Sequence, residues 1–323
     1  MSKKIHNHLL PRMVIKRWED EKARIFVKNA ILPFSRPVHK YDYSEQYYYS
    51  LGKEDSALED RISSFETYVG RLLKKLNNAN GSVELLEKDM EILKLYVVLQ
   101  SCRNESTSSY IKSDEFGIYQ NNNYLFGVPL LSTQKEAIDY TKTICDEFER
   151  INDEKNDADY SYEYRIIAPG KLNSFLCLGL HLVIVNNSFN GFIVSDTTAV
   201  IECTMDSDYL YTYVPVSPKI GLLLVKSKYF WNIETIEYTK ARFGDKYGNG
   251  KPDPWLSNAI QDSKLIYNGK TNNHLVTLSI VNLSKAETYH LNSVIYEDGN
   301  KILYSNDDSL KISKIPNPSR VVS

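Results

Sequence analysis

Apolar residues recur at helical spacing in three stretches of the first half of the chain. They predict helices over about 56–77, 82–102 and 132–152. Capping-box patterns at Ser56 and Thr133, each with a glutamate three residues later, mark the starts of the first and third helices. The second helix is apolar nearly all round towards its end, which places it at the centre of the core.

The second half of the chain changes to short runs that are rich in strand-forming residues. The predicted strands, including an earlier one in the first half, are 24–28, 191–196, 211–216 and 220–225. Further predicted elements include a helix at about 255–266, a helix over most of 272–291 and a hairpin over 294–304. The fold class is therefore α+β, with a helical first half packed with a mixed α/β second half.

The length of 323 residues suits one large domain or two ordinary ones. The acidic and polar run 153–162 is typical of an exposed connection between two halves. The candidate site residues named below come from both halves and suit one site. We therefore expect residues 1–323 to form a single compact domain with a soft internal boundary near 153–162.

The net charge of −2 excludes a global basic field that would attract nucleic acid or an anionic membrane. A local contact with RNA or DNA is still open, because residues 12–28 carry six lysines and arginines among apolar residues. The alternative is a solvated face of a short strand. A protein partner is also open.

The four cysteines are scattered and form no C-x-x-C spacing, which is typical of reduced thiols in the cytoplasm. The first residues are charged and lack the apolar stretch and cleavage site of a signal peptide. The longest apolar run, 175–185, is too short to span a bilayer. We expect a cytoplasmic protein that makes no membrane contact.

Side chains suited to acid–base chemistry stand out at four places. His8 lies near the N-terminus, three residues before the stiffening Pro11. Glu59 and Glu66 are seven residues apart and share one face of the first predicted helix. Arg103 follows the second helix and is expected to form a charge-assisted pair with one of these glutamates. Each of these residues also has a purely structural interpretation, and a metal pair of His6 with His8 lacks an evident third ligand.

Four polar residues complete the candidate set. Gln100 ends the apolar second helix and needs a partner there, because an unpaired buried amide is costly. Ser195 and Asp196 end a predicted strand, where Asp196 is either a catalytic carboxylate or a turn former. Ser217 lies in the turn between two predicted strands. The chain contains no P-loop, dinucleotide-binding glycine motif, H-E-x-x-H or G-x-S-x-G sequence.

In their order along the chain, these motifs resemble a bacterial family catalogued as domain of unknown function 4238. The resemblance covers roughly residues 5 to 305 and rests on His8 and Pro11; Leu58, Glu59 and Glu66; Gln100 and Arg103; Ser195 and Asp196; Pro215, Ser217 and Pro218. The chain departs from the family at Ile15-Lys16, at Trp18 and at Thr197-Thr198. The resemblance implies candidate positions and an accessory or defence-type role in bacteria, and it implies no known activity.

Two classes of function follow. In the first, the protein is a phosphodiester-cleaving, nuclease-like effector in which His8 is general acid or base and Arg103 stabilises phosphoryl charge. The carboxylates of Glu59, Glu66 and Asp196 then act as acid–base groups or as Mg²⁺ ligands. In the second, the protein is a non-catalytic sensor or partner-binding module, and the same residues form a buried polar network. A solvent-open cleft favours the enzyme, whereas a dry and mutually satisfied network favours the module.

Overall fold

The computed structural model describes fifteen stretches of the chain, which contain all the elements below. They are residues 6–8, 10–22, 24–29, 36–39, 44–46, 57–102, 124–125, 128–129, 134–153, 181–195, 198–203, 209–225, 264–268, 273–298 and 301–304.

Five α-helices lie in these stretches, and the first continues into a turn of 3₁₀-helix over Lys16–Trp18. The helices are α1 (Arg12–Ile15), α2 (Ala57–Asn78), α3 (Glu87–Cys102), α4 (Gln134–Asp153) and α5 (Lys285–Asp298). The helices predicted at 56–77 and 132–152 are confirmed as α2 and α4. Their apolar stripes face the core, as the buried Phe65 on α2 and Phe148 on α4 show by stacking at 4.6 Å between ring centroids.

The described strands number fifteen. They are β1 (His6–His8), β2 (Arg24–Asn29), β3 (Arg36–His39), β4 (Ser44–Gln46), β5 (Ser82–Leu86), β6 (Tyr124–Leu125), β7 (Val128–Pro129), β8 (His181–Asn186), β9 (Val194–Ser195), β10 (Val200–Cys203), β11 (Tyr209–Pro215), β12 (Ile220–Val225), β13 (Lys264–Asn268), β14 (Asn273–Asn282) and β15 (Lys301–Tyr304). The strands predicted at 24–28, 211–216 and 220–225 are confirmed within a residue or two of their ends.

The main sheet has seven strands, in the order β10-β11-β12-β8-β14-β13, with β5 also paired to β14. All its pairings are antiparallel except that of β14 with β8, which is parallel. A second sheet of four antiparallel strands has the order β3-β2-β15-β9. The second sheet joins the N-terminal β2 to the C-terminal β15, and it includes β9, which carries the predicted site residue Ser195. Helices and a mixed sheet confirm the α+β class.

The prediction of one helix over 82–102 is wrong at its start. Residues 82–86 form the strand β5, in which Val83 and Leu85 are buried and their neighbours are more exposed. This alternation matches the period of a strand, and Val83 pairs with Leu278 of β14. The helix begins only at Glu87, where acidic residues in the first turn favour an N-terminus.

The helix predicted over most of 272–291 is wrong before Lys285, and the hairpin predicted over 294–304 is wrong. Residues 273–282 form β14, in which Val276, Leu278 and Ile280 are buried at every second position. The helix α5 begins later and runs to Asp298, and residues 301–304 pair with β2 and β9 rather than with a neighbouring hairpin strand. The end of the helix predicted at 255–266 is wrong too, because Lys264–Asn268 is a strand.

One hydrophobic cluster connects the N-terminal residues, α2, α3, α4 and the main sheet. Its centre is α3, where every residue from Ile92 to Gln100 is buried. The prediction that α3 is central to the core is therefore confirmed. The boundary predicted near 153–162 lies almost wholly outside the described residues, and the single-domain organisation stays a prediction.

Candidate functional site

The residues Leu10–Trp18, which we call the N-terminal segment, are docked into the body of the protein. Leu10, Val14, Ile15 and Trp18 are buried. The carbonyl oxygen of Pro11 accepts hydrogen bonds from the backbone N–H groups of Val14 and Ile15, so this proline starts the short helix α1. The apolar side chains hold the segment in the hydrophobic cluster, and the basic side chains between them remain at least partly exposed.

Arg17 of the N-terminal segment reaches α2. Its Nη2 donates a 3.2 Å hydrogen bond to the carbonyl oxygen of Gly70. The approach is close because Gly70 has no side chain: a Cβ there would lie 3.2 Å from the sulfur of Met13. Burial lowers the pKa of Arg17, and the nearby Tyr96 hydroxyl acts in the opposite direction. Among the described residues no carboxylate forms an ion pair with this guanidinium, and its buried Nε has no hydrogen-bond partner.

Helices α2 and α3 run antiparallel beside the N-terminal segment. The ring centroids of Phe65 and Tyr96 are 6.5 Å apart, and the Tyr68 hydroxyl donates a 2.7 Å hydrogen bond to Asp89. Residues further along α2 therefore contact residues nearer to the start of α3, as expected for antiparallel helices. Glu59 lies in the first turn of α2, and therefore at the end of the helix pair where α3 ends, two residues after Gln100.

The backbone of residues 191–193 is held by side chains and backbone from three other parts of the chain. The amide of Asn292 accepts from Ile193 N–H (3.1 Å) and donates to the Gly191 carbonyl (2.7 Å). Asn187 Oδ1 accepts from Gly191 N–H at 2.7 Å. The Phe192 N–H donates to the Pro218 carbonyl at 2.9 Å. We call Gly191–Ser195 the clamped segment.

Trp18 of the N-terminal segment also holds the clamped segment. Its indole Nε1 donates a 3.1 Å hydrogen bond to the carbonyl oxygen of Phe192. Three residues after the clamped segment, Thr198 Oγ1 donates a 2.7 Å hydrogen bond to the carbonyl oxygen of Gln100. Ser195 is therefore preceded by a contact to the N-terminal segment and followed by a contact to the end of α3. The structure brings these three regions of the chain together.

The same regions carry the motifs of a known protein family. The model of the family described as "Protein of unknown function (DUF4238)" matches residues 6–309. The chain belongs to the DUF4238 family. No match was found for it among curated proteins or among solved structures. The description of DUF4238 names no activity, so the function has to be argued from the site.

Three of the DUF4238 motif residues predicted for the site are buried close to this region. Glu59 is 7% exposed, Gln100 is 1% exposed and Ser195 is fully buried. Glu66 is half-buried on α2. Gln100 Nε2 and Oε1 have no hydrogen-bond partner among the described residues. These buried side chains are thus shielded from water, and the amide group of Gln100 is not satisfied by the described residues.

Ser217 has a structural role in the turn between β11 and β12. Its Oγ accepts hydrogen bonds from the N–H groups of Lys219 (3.3 Å) and Ile220 (2.9 Å). It also donates to Asn77 Oδ1 at 3.3 Å, which ties the turn to the end of α2. Pro218, the next residue, supplies a carbonyl to the clamp. Ser217 therefore shapes the turn that supports the clamped segment.

The remaining predicted site residues are seen in part or lie outside the described residues. His8 is in β1, whose backbone pairs with Ser44 of β4, and its side chain is outside the description. Arg103 and Asp196 lie outside the described residues, so the predicted pair of Arg103 with Glu59 or Glu66 stays a prediction. Arg17, from the N-terminal segment, is observed to contact α2, through the carbonyl oxygen of Gly70.

The two asparagines that hold the clamped segment were not predicted from the sequence. Asn187 and Asn292 are both fully buried, and the partners that they bond are backbone groups, among them the carbonyl of Pro218 for Asn187. A single asparagine carries no periodicity or spacing signal in a chain as rich in asparagine as this one. Arg17 did have a signal, since it belongs to the basic stretch 12–28.

Within the described part of the chain, no group of three or more His, Cys, Asp or Glu side chains is placed to hold a metal ion. No described helix has both the length and the apolar composition that crossing a membrane requires.

Proposed function

We propose that this protein cleaves phosphodiester bonds in a nucleic acid, as a nuclease-like enzyme. His8 serves as general acid or base, and the carboxylates of Glu59, Glu66 and Asp196 serve as acid–base groups or Mg²⁺ ligands. Arg103 stabilises charge on the phosphoryl group. A cytoplasmic effector role in a bacterial accessory or defence system is part of this proposal and rests on the family resemblance.

The observation that carries the proposal is the environment of the Arg17 side chain. Its guanidinium is half-buried beside α2 and α3, and its described hydrogen-bond partner is the uncharged carbonyl of Gly70. A partly desolvated cation is costly unless an anion or several acceptors compensate it. A phosphate group supplies that compensation well, because a guanidinium binds phosphate oxygens in a bidentate manner.

The position of Arg17 relates this cation to the motif residues. It precedes Trp18, which holds the clamped segment leading to Ser195 and Asp196. It also follows His8 by nine residues in the same segment of chain. A phosphate at Arg17 would therefore lie near the parts of the chain that carry the proposed acid–base groups, which supports a phosphodiester as substrate.

A second candidate is a non-catalytic binding module in which the same residues hold the N-terminal segment in place. The contacts of the clamped segment favour this candidate, because the buried asparagines Asn187 and Asn292 hydrogen-bond to its backbone groups. That role is structural and involves no catalysis. The unmatched amide of Gln100 and the unpaired charge of Arg17 favour the enzyme instead, since a purely structural network gains from mutual satisfaction.

Incubation of the purified full-length protein with end-labelled RNA and DNA, with Mg²⁺ and with a chelator, tests the proposal. We expect wild-type protein to shorten at least one substrate, and His8→Ala, Asp196→Asn and Glu59→Gln to abolish the cleavage. Asp60→Asn is the matched control, because Asp60 is an exposed neighbour of Glu59 on α2. Circular dichroism melts establish that each variant is folded.

Intact RNA and DNA under every condition would overturn the enzymatic proposal. If the wild-type protein instead retards a nucleic acid on a gel without shortening it, the binding-module candidate is supported. Cleavage that persists in folded Asp196→Asn and Glu59→Gln would show that these carboxylates do not perform the chemistry.

A further inference from the structure

The outer side of the N-terminal segment is basic. Arg12 and Lys16 are exposed and lie four residues apart, on one face of α1 and the 3₁₀ turn that follows it. Arg17 is half-buried at the edge of that face. The apolar side chains of the segment are buried in the hydrophobic cluster, except that Met13 is half-buried. The segment therefore presents positive charge to solvent and keeps its apolar side chains largely covered.

The second half of α2 continues this basic side. The N-terminal segment touches α2 at Gly70, through the 3.2 Å hydrogen bond from Arg17 Nη2 and through the sulfur of Met13. Arg71 is the next residue of α2, and Lys74 lies one turn beyond Gly70 on the same face. Both are exposed. Two adjoining elements thus place five cations side by side, and we call them the basic surface: Arg12, Lys16, Arg17, Arg71 and Lys74.

The cations of the basic surface form no ion pair with a described carboxylate. The ion pairs in the described part of the chain involve other cations, namely Arg61, Lys94, Lys142 and Arg150. Arg71 lies 4.9 Å from the centroid of the Tyr68 ring, a contact that leaves its charge in place. Acidic residues do occur close by in the sequence, at Glu66 and at 19–21. The net result is a cluster of cations that attracts a polyanion.

A nucleic acid fits the basic surface better than the two other common polyanions. An anionic membrane is bound by cations that flank exposed apolar side chains, and the apolar side chains of the N-terminal segment are instead packed in the core. An acidic protein is bound around buried aromatic and apolar anchors, which this surface does not present among its described residues. Lysines and arginines alone suit a phosphate backbone, which carries closely and regularly spaced charges.

We infer that the basic surface binds a nucleic acid through its phosphate backbone, without reading its sequence. The inference rests on the proposed function for its substrate, and it names the surface that holds this substrate outside the cleaving groups. Arg17 lies where the N-terminal segment meets α2, so a backbone held on the basic surface leads to the phosphate proposed for Arg17. Contacts of this kind position a substrate and carry no sequence information.

Fluorescence anisotropy with the full-length protein tests the inference. The probes are labelled single-stranded RNA and duplex DNA, each in several unrelated sequences, with a chelator present to suppress Mg²⁺-dependent cleavage. Each phosphate contact contributes about −0.9 to the slope of log K against log salt for duplex DNA, so five contacts predict a slope of about −4 to −5. We expect affinity to fall about a hundredfold or more between roughly 50 and 200 mM salt. Different sequences of one probe type should bind alike.

Two double variants test whether the two elements form one surface. Arg12→Gln with Lys16→Gln removes the exposed charges of the N-terminal segment, and Arg71→Gln with Lys74→Gln removes those of α2. Each pair should weaken binding of every sequence about tenfold or more at low salt and reduce the salt slope by about 2. The four positions are exposed, so the variants are expected to fold, and circular dichroism melts establish that they do.

Arg61→Gln with Lys142→Gln is the matched control. It removes the same two charges from positions that are already paired with carboxylates, so it should bind with the wild-type slope. A salt slope that either test pair leaves unchanged would overturn the composite surface. Wild-type protein that binds neither nucleic acid also overturns the inference, as does equal binding of polyglutamate, or binding to phosphatidylglycerol vesicles in place of nucleic acid.

Failure of the proposed function gives a different result. Binding with the expected variant pattern, without cleavage of RNA or DNA when Mg²⁺ is supplied, supports the basic surface and refutes the enzyme. Wild-type binding and cleavage by both folded double variants would refute the basic surface and leave the enzyme standing.

Discussion

The indole nitrogen of Trp18 donates a 3.1 Å hydrogen bond to the carbonyl oxygen of Phe192, which lies 174 residues further along the chain. Both residues are buried. This bond joins the N-terminal segment to the clamped segment, and it satisfies a carbonyl that would otherwise be buried without a partner. A phenylalanine in place of Trp18 would have no N–H to donate to this carbonyl.

Trp18→Phe removes that bond while keeping an aromatic ring. The Phe192 carbonyl is left unsatisfied and the smaller ring leaves a void, so we expect a loss of about 2–4 kcal/mol in the free energy of unfolding. Urea denaturation followed by circular dichroism measures it. A change below about 0.5 kcal/mol would mean that the bond does not hold the segment.

Asn292→Asp tests the clamp from the other side. The carboxylate still accepts from the Ile193 N–H, but it has no N–H to donate to the Gly191 carbonyl and introduces a buried charge. We expect a loss of about 3–5 kcal/mol in the free energy of unfolding by urea denaturation. Asn282→Asp, at an exposed asparagine bonded to Asn186, is the control and should cost less than about 1 kcal/mol. Equal effects of the two substitutions would contradict the clamp.

Gly221→Ala should destabilise the main sheet. A Cβ at Gly221 would lie 2.6 Å from the Tyr213 ring and 3.0 Å from Val185 Cγ2, and Tyr213 is fully buried and unable to swing aside. We expect a loss of about 1–3 kcal/mol, which is the usual cost of overpacking a core. Thermal melting monitored by circular dichroism measures it. An unchanged melting temperature would show that the ring yields.

Stability should fall at alkaline pH partly because of Tyr213. Burial raises the pKa of Tyr213 well above its usual value of 10, so the folded protein keeps the proton when the unfolded chain loses it. The contribution is constant below about pH 10 and then lowers the free energy of unfolding by about 1.4 kcal/mol per pH unit. Tyr213→Phe should reduce this slope in urea titrations at pH 9–11. It should cost little at pH 7, because the hydroxyl has no hydrogen-bond partner among the described residues. An unchanged alkaline slope would contradict the burial.

The sequence predicts those helices and strands in which the spacing of apolar residues fits only one period. Helix α2 shows a long apolar stripe at helical spacing, and its bounds were predicted within a residue. Strand β14 is mistaken for a helix because Leu275, Leu278 and Val281 recur at a spacing of three, as on one face of a helix. Val276, Leu278 and Ile280 also alternate as in a strand, and only pairing with β5, β13 and β8 decides between the two periods. The start of α5 had a usable signal, since Ser284 and Glu287 form a capping box.

Site residues could be predicted where their type and their place on a helix suggest a role. They could not be predicted where the role depends on contacts with residues distant in the sequence. Glu59 and Gln100 were identified from their places on helices, and both are buried at one end of the α2–α3 pair. The clamp was not identified, because the contacts of Asn292 with Gly191 and Ile193 span about a hundred residues and leave no local trace. The pair of Arg103 with a glutamate of α2 lies outside the described residues and stays a prediction, whereas Arg17 contacts α2 through the carbonyl oxygen of Gly70.

A comparison of nucleic-acid cleavage by the Arg17→Met and Arg61→Met variants tests the central claim most directly. Both substitutions remove an arginine head near α2 and keep an apolar stem, but only Arg17 lacks a carboxylate partner among the described residues. With end-labelled RNA and DNA as substrates, we predict that Arg61→Met cleaves as wild type does and that folded Arg17→Met loses cleavage about a hundredfold or more, in line with removal of one charge-stabilising group. Equal cleavage by the two variants, or no cleavage by the wild-type protein, would contradict a phosphodiesterase site at Arg17.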